Sequence, residues 1–584
     1  MGAPARFREF ASYSYRPAVS APASSSQAQM DRAISRLREG AAVFARLGLD
    51  ERLALVESMQ KGFLSVAERL VAAGCKAKGI AHGSPLEGEE WALGISGVVR
   101  QLRLIRKSLG ALRDSGKTPI GPVGRTNEER LSVRMFPGNA IDGVLFKNVT
   151  VDVHMQSHVT EQMLDETRAS FYKRPHSGRV ALVLGAGNIA SIPPMDVITK
   201  MFNEGKVCLL KMNPVNAYIG PFIEEAFGEA VRRNFLAVVY GGAEEGRYLV
   251  YHDGIDEVHI TGSDKTHDAI VWGPPGTQQE ERKRRNDPLL RKPVTSELGN
   301  VSPVIVVPGP YTEKELRFQA EDAASYFIMN ASFLCCAAKM LVTPKRWDGS
   351  DTFLRGVENV CAAVAPRQAY YPGAQDRWQT LTSGRAKMAR IGDDIPGTLP
   401  WTIITGLDSS AADEPLFNAE SFCSVLSETR LASADPVEFL EQAVDFANNR
   451  LWGTLAATLV VHPKSLKDPR ISEAVERAIA RLRYGTVAVN GFHGLSFSFA
   501  SPPWGAYPGA TLDDIQSGSG FVHNTSMLEG VEKVVLRCPI AAFPKPVYFP
   551  SHRTAHKVMR NLVALEESAG WGKVPGVVFA AMRG

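Results

Sequence analysis

From Met30 to about Leu112, apolar residues recur at spacings of mostly three and four. Ile34, Leu37, Ala41, Phe44, Leu47, Leu53, Leu55, Met59, Phe63, Val66 and Leu70 trace the inward stripe of several helices packed on something larger. Residues 1–28, ahead of them, are rich in Ala, Ser and Pro, which predicts a flexible N-terminus. Between 131 and 170 the period shortens, and 131–135 and 149–154 alternate as half-exposed strands do. The texture then becomes one of short apolar runs. Residues 179–184 end in Gly185-Ala186-Gly187, 206–211 in Lys211, 236–240 in Gly241-Gly242, and 257–260 in Thr261-Gly262-Ser263. Amphipathic segments such as 223–231 lie between them, and strand, turn and helix repeated four times predicts a parallel, doubly wound sheet. A second α/β stretch begins near Glu297, with strand-like runs at 304–307, 341–342, 455–461 and 486–489; beyond Cys538 little periodicity remains.

A chain of 584 residues exceeds one ordinary core, so two or three domains are expected. The 44% hydrophobic and 22% charged composition is that of a globular protein. A net charge of +4, spread over interspersed acids and bases, gives no support to a nucleic-acid partner. The one local charge run, 280–285, reads as a solvated loop rather than a phosphate-binding patch. Seven cysteines with no C-x-x-C pair fit a reducing compartment and no metal site. No transmembrane stretch of ~20 apolar residues and no secretory leader is visible, so a cytoplasmic enzyme is expected, with peripheral membrane contact left open.

The candidate chemistry centres on Cys335, at the end of Asn330-Ala331-Ser332-Phe333-Leu334, and on Glu297 upstream in Ser296-Glu297-Leu298-Gly299. A thiol can attack a carbonyl, and a carboxylate can activate the species that releases the resulting thioester. A buried structural cysteine is the plainer alternative. Cys335 is read as opening a helix, with Cys336 on another face and left to packing. Gly185-Ala186-Gly187-Asn188 follows a strand, as a dinucleotide fingerprint should, but the next strand ends in Lys211 where an acid would bind a ribose. Lys211 suits a different duty, holding a ribose or phosphate as a cation. Gly242 lies in a further turn; Gly262 and Ser263 stand at an apparent helix start, where N–H groups receive a pyrophosphate or Ser263 simply caps the helix.

Seven spaced segments together resemble the aldehyde dehydrogenase superfamily, over roughly residues 40–540. Asn330-Ala331 with Cys335 is similar to N-A-G-Q-x-C, Glu297-Leu298-Gly299 to E-L-G-G, Thr261-Gly262-Ser263 to F-T-G-S, and Gly187-Asn188 to the end of P-W-N. Glu420-Ser421-Phe422 resembles E-x-F-G-P, Trp452-Gly453-Thr454-Leu455-Ala456-Ala457 resembles Y-G-L-A-A, and Val489-Asn490 with Pro503-Trp504-Gly505 resembles V-N…P-F-G-G. The resemblance implies an aldehyde dehydrogenase-like α/β fold: a Rossmann-type parallel-sheet cofactor domain (29–130 and 173–295), an α/β catalytic domain (296–514), small oligomerisation β-strands with an insertion (131–172 and 515–545), and a C-terminal extension (546–584). It implies NAD(P)-dependent oxidation of an aldehyde to a carboxylic acid through a thiohemiacetal and thioester on Cys335. Asn188 and the Cys335 N–H would form the oxyanion hole and Glu297 would be the general base. Lys211 would hold the adenosine ribose, Glu420 the nicotinamide ribose, Ser263 the pyrophosphate side, and Phe422 would pack near the nicotinamide.

The departures are specific. Ser332-Phe333 replaces G-Q before the cysteine, His267 stands where a glycine is common, and insertions fall near 136–170 and 271–293. Lys211-Met212-Asn213-Pro214 lacks the acid that favours NAD over NADP, so either cofactor remains open. Reduction of an acyl-CoA or acyl-protein thioester to an aldehyde is the alternative, against which Glu297 argues; a non-catalytic oligomeric scaffold is the third. Phe492, Phe497 and Phe499 either line an apolar tunnel for a long-chain or otherwise apolar aldehyde or pack the core. A homodimer or homotetramer is implied, with the segment near 145–155 and the strand near 533–536 pairing between subunits.

Overall fold

A computed structural model describes residues 20–584. The helical pattern folds as Gln27–Phe44, Leu49–Ala77 and Gly97–Ser115, whose apolar stripes bury Leu37, Phe44, Met59, Phe63 and Leu70 in a core shared with the first sheet. The first of these helices begins at Gln27, inside the stretch expected to be flexible. Ser26 caps it reciprocally with Gln29, each side chain bonded to the other's backbone N–H. Residues 1–19 of that expectation lie outside the described residues.

The four apolar runs form four adjacent strands of a six-stranded sheet, in the order Gly518–Ser519, Val294–Leu298, Glu257–Gly262, Val180–Leu184, Val207–Lys211, Leu236–Val239. All neighbours are parallel except the first pair. Register places Leu184 opposite Lys211 and Thr261 opposite Glu297, so the predicted site residues share the carboxyl edge. That edge is where open α/β sheets bind ligands.

The second sheet has eleven strands. Its parallel centre comprises Thr486–Val489, Ala456–Val460, Ser302–Val306, Ala338–Pro344, Val425–Leu431 and Trp401–Leu407. The alternating strands Leu131–Phe136 and Thr150–Met155 continue it through Val531–Arg537, which pairs antiparallel with Thr150–Met155 and parallel with Thr486–Val489. This corrects the expectation of pairing between subunits: both edges of Val531–Arg537 are filled by its own chain.

Two further expectations are overturned. The charge run 280–285 lies in an exposed helix, Thr277–Arg285; with no apolar period to betray it, only i,i+4 pairing such as Glu281 with Arg285 supports it. Past Cys538, where little periodicity shows in the sequence, the chain forms the helices Ala555–Glu567 and Val574–Ala581. Among the described residues, no helix is long and apolar enough to cross a membrane.

Candidate functional site

Cys335 does not open a helix. Helix Glu313–Ile328 ends, and Asn330, Ala331 and Ser332 all take left-handed backbone conformations, with φ of 52°, 54° and 68°. Three non-glycine residues in that region cost about 1 kcal/mol each. Buried partners hold the turn. The Lys339 ammonium donates to the Ser332 carbonyl and hydroxyl at 3.0 and 2.7 Å and to the Cys423 carbonyl at 3.2 Å. Asn330 donates to the carbonyls of Asn188 and Phe333, both at 3.0 Å, and its own oxygen accepts from Lys78 and Tyr370. The turn delivers Cys335 to the carboxyl edge of the first sheet.

There it lies beside Glu297, whose carboxylate accepts from Trp504 Nε1 at 3.3 Å. Burial raises the Glu297 carboxyl to about 8, and nearby Asp196 adds to the rise. The bond to Cys336, burial and the Glu297 charge hold the Cys335 thiol well above its ordinary value, so it rests protonated beside its base. The two thiols touch each other, which corrects the assignment of Cys336 to a separate helical face. Asn188 Nδ2 donates to the Phe333 carbonyl at 3.0 Å, leaving its second N–H free of that bond, and the Cys335 backbone N–H donates to no described residue.

A cleft of about 660 Å³ gathers every predicted residue: Asn188, Lys211, Gly242, Gly262, Ser263, Glu297, Cys335, Glu420 and Phe422 all line it. The Lys211 ammonium, lowered to about 8 by burial, donates to no described residue. Ser263 caps helix Asp264–Val271 through the Thr266 N–H, and Gly242 donates to Glu245 at 2.6 Å at the start of Ala243–Tyr251. The Glu420 Oε1 is buried without a partner, and burial holds that carboxyl well above its ordinary range. Gly299 makes the room for it, since a Cβ there would overlap the Glu420 carboxylate. Phe422, at φ 39°, packs against Phe333 and Tyr371 and lies under Arg377. His267 is buried away from the cleft, so it does not block it. Sequence reasoning missed Trp504, Arg377 and Lys339. Only Trp504 carried a signal, an indole donor where the resembling motif has Phe.

The two-sheet α/β scaffold thus brings a thiol and a carboxyl to the carboxyl edge of a parallel sheet, where such sheets bind ligands. The Aldehyde dehydrogenase family matches residues 145–364. The N-succinylglutamate 5-semialdehyde dehydrogenase of Novosphingobium aromaticivorans is 26% identical over 314 residues, 50% of this chain and 59% of that one. The chain spans about three-fifths of the length of the curated relatives it matches. In fold it is similar to NADP-dependent glyceraldehyde-3-phosphate dehydrogenase of Bacillus halodurans complexed with NADP (TM-score 0.58, 16% identity, 88% of this chain and 91% of that one). It is equally similar to a mutant aldehyde dehydrogenase C of Pseudomonas syringae complexed with NAD+ and octanal (TM-score 0.59, 16% identity, 89% and 92%). The chain has the fold of these aldehyde dehydrogenase structures and is similar to the family over part of its length.

Proposed function

We propose that the protein oxidises an aldehyde to a carboxylic acid with NAD or NADP through a thioester on Cys335. The observation that carries this reading is the Cys335 thiol placed beside a buried carboxyl in the cleft that also holds the unpartnered Glu420 oxygen and Lys211.

The cleft fits a dinucleotide. Lys211 and Glu420 would hold the two riboses, Gly242 and Gly262 leave the backbone open to close approach, and Ser263 would face the pyrophosphate. A bound nicotinamide supplies the hydride acceptor. The rest belongs to this chain. Glu297 takes the thiol proton, and the sulfur adds to the aldehyde carbonyl, forming a C–S bond and an oxyanion. Asn188 Nδ2 and the Cys335 N–H receive that oxyanion, each donor being worth about 3 kcal/mol. Once the thioester has formed and Glu297 has passed the thiol proton to solvent, it removes a proton from the attacking water and returns that proton to the departing sulfur, so that the C–S bond breaks to release the acid and the thiol.

Cys335→Ala is expected to abolish aldehyde-dependent formation of NAD(P)H. Undiminished turnover refutes the reading. Consumption of NAD(P)H with acyl-CoA, and acylation of Cys335 by that thioester, would assign the reverse reaction instead.

A further inference from the structure

Cys335 also borders a second cavity, of about 120 Å³, and this one is apolar. Phe492, Phe497 and Phe499 line it, so the three aromatics bound a space instead of only packing a core. Another wall comes from the C-terminal segment through Val547, Tyr548, Met559, Leu562 and Leu565. The last three recur three residues apart and share one face of helix Ala555–Glu567.

That helix is fixed in place. Glu566 Oε1 accepts from Arg100 at 2.5 Å and Oε2 from Arg103 at 2.6 Å. Arg100 also donates to both Asp142 oxygens at 3.2 and 3.1 Å and to the Phe499 carbonyl at 2.9 Å. Gly88 permits the close approach, because a Cβ there would sit 2.8 Å from the Ala555 backbone. Arg100, Asp142 and Glu566 are the charged residues lining the cavity. With Arg103 the cluster has two cations and two carboxylates, and Arg100 is saturated by them, so this lining offers no unpaired cation to an acidic substrate.

We propose, building on the aldehyde-oxidation reading, that the substrate is a neutral, apolar aldehyde and that segment 547–566 is the wall that selects it. A carboxylate entering this space would be desolvated without a partner, whereas each added methylene would gain contact.

The test compares octanal, butanal and succinic semialdehyde on the wild type and on Leu562→Ala, Leu562→Trp and, as a control outside the cavity, Phe579→Ser on the exposed face of the last helix. Melting curves establish that each variant is folded, and Leu562→Phe replaces the tryptophan variant if that one is not. Octanal is expected to exceed succinic semialdehyde in kcat/KM by about a hundredfold, and Leu562→Trp to lower the octanal-to-butanal ratio about tenfold. Leu562→Ala should shift that ratio less or in the opposite direction, and Phe579→Ser should leave it unchanged. An arm that needs no turnover follows alkylation of Cys335 by iodoacetamide: octanamide should slow it in the wild type and much less in Leu562→Trp, and succinamate should not slow it. Succinic semialdehyde outpacing octanal, or ratios and protection indifferent to Leu562, overturns the proposal. Octanamide protection that depends on Leu562, with no aldehyde oxidised, supports the selecting wall and refutes the oxidation reading alone.

Discussion

Replacing Glu297 by Gln tests the base through two independent quantities. The carboxyl is carried from its ordinary 4.5 to about 8 by burial, with Asp196 adding to the rise. At about 1.4 kcal/mol per tenfold change in proton affinity, this amounts to about 5 kcal/mol. The folded state binds the proton more tightly than the unfolded one, so the stability is fully present below pH 4.5 and is lost as pH rises through 8. Glu297→Gln keeps an oxygen for Trp504 and never ionises. Urea denaturation should therefore show it matching the wild type in acid and exceeding it by about 5 kcal/mol at the alkaline end. In kinetics, the ionised fraction of Glu297 rises from about one-tenth at pH 7 to about nine-tenths at pH 9. Thioester hydrolysis should climb tenfold over that interval in the wild type, on the order of the fraction ionised. In the variant it should be flat and slower by about 10²–10⁴-fold, with an acyl group accumulating on Cys335 in acid-quenched mass spectra. Wild-type hydrolysis that is flat from pH 7 to 9, or a variant that never accumulates acyl-enzyme, refutes the role.

Gly299→Ala should drive the Glu420 carboxylate from its place and weaken NAD(P) binding by about a hundredfold in calorimetric titration, since displacement by a methyl's width is enough to misplace a bound group. Lys339→Met leaves the carbonyls of Ser332 and Cys423 without their buried donor and should lower stability by about 3 kcal/mol in urea, with slower alkylation of Cys335 as the left-handed turn relaxes.

Much of the cofactor side was legible because its residues sit where apolar runs stop. Runs ending at Leu184, Lys211 and Gly262 become neighbouring parallel strands, and parallel register carries their ends to one edge. Cys335 and Glu297 were legible as residue types in a familiar order. The turn that presents Cys335 was not, because three consecutive positive φ angles ordinarily announce themselves through glycine, and here Asn330, Ala331 and Ser332 are held there by the distant Lys339 and Lys78. The substrate side was half legible: the phenylalanines after Asn490 were visible as candidates, but the helix facing them, Ala555–Glu567, lies in the stretch past Cys538 where little periodicity shows. The strands Trp401–Leu407 and Val425–Leu431 escaped notice for a local reason, since Thr402, Thr405, Ser427, Glu428 and Thr429 interrupt their apolar character.

Strand Thr150–Met155 finds its partner, Val531–Arg537, more than half the chain away. A ribosome therefore finishes most of the polypeptide while an alternating, hydrogen-bond-hungry ribbon near its beginning waits for a mate. A message truncated before Val531 would leave that ribbon permanently open to other molecules, so premature termination here yields a sticky product rather than a merely inactive one.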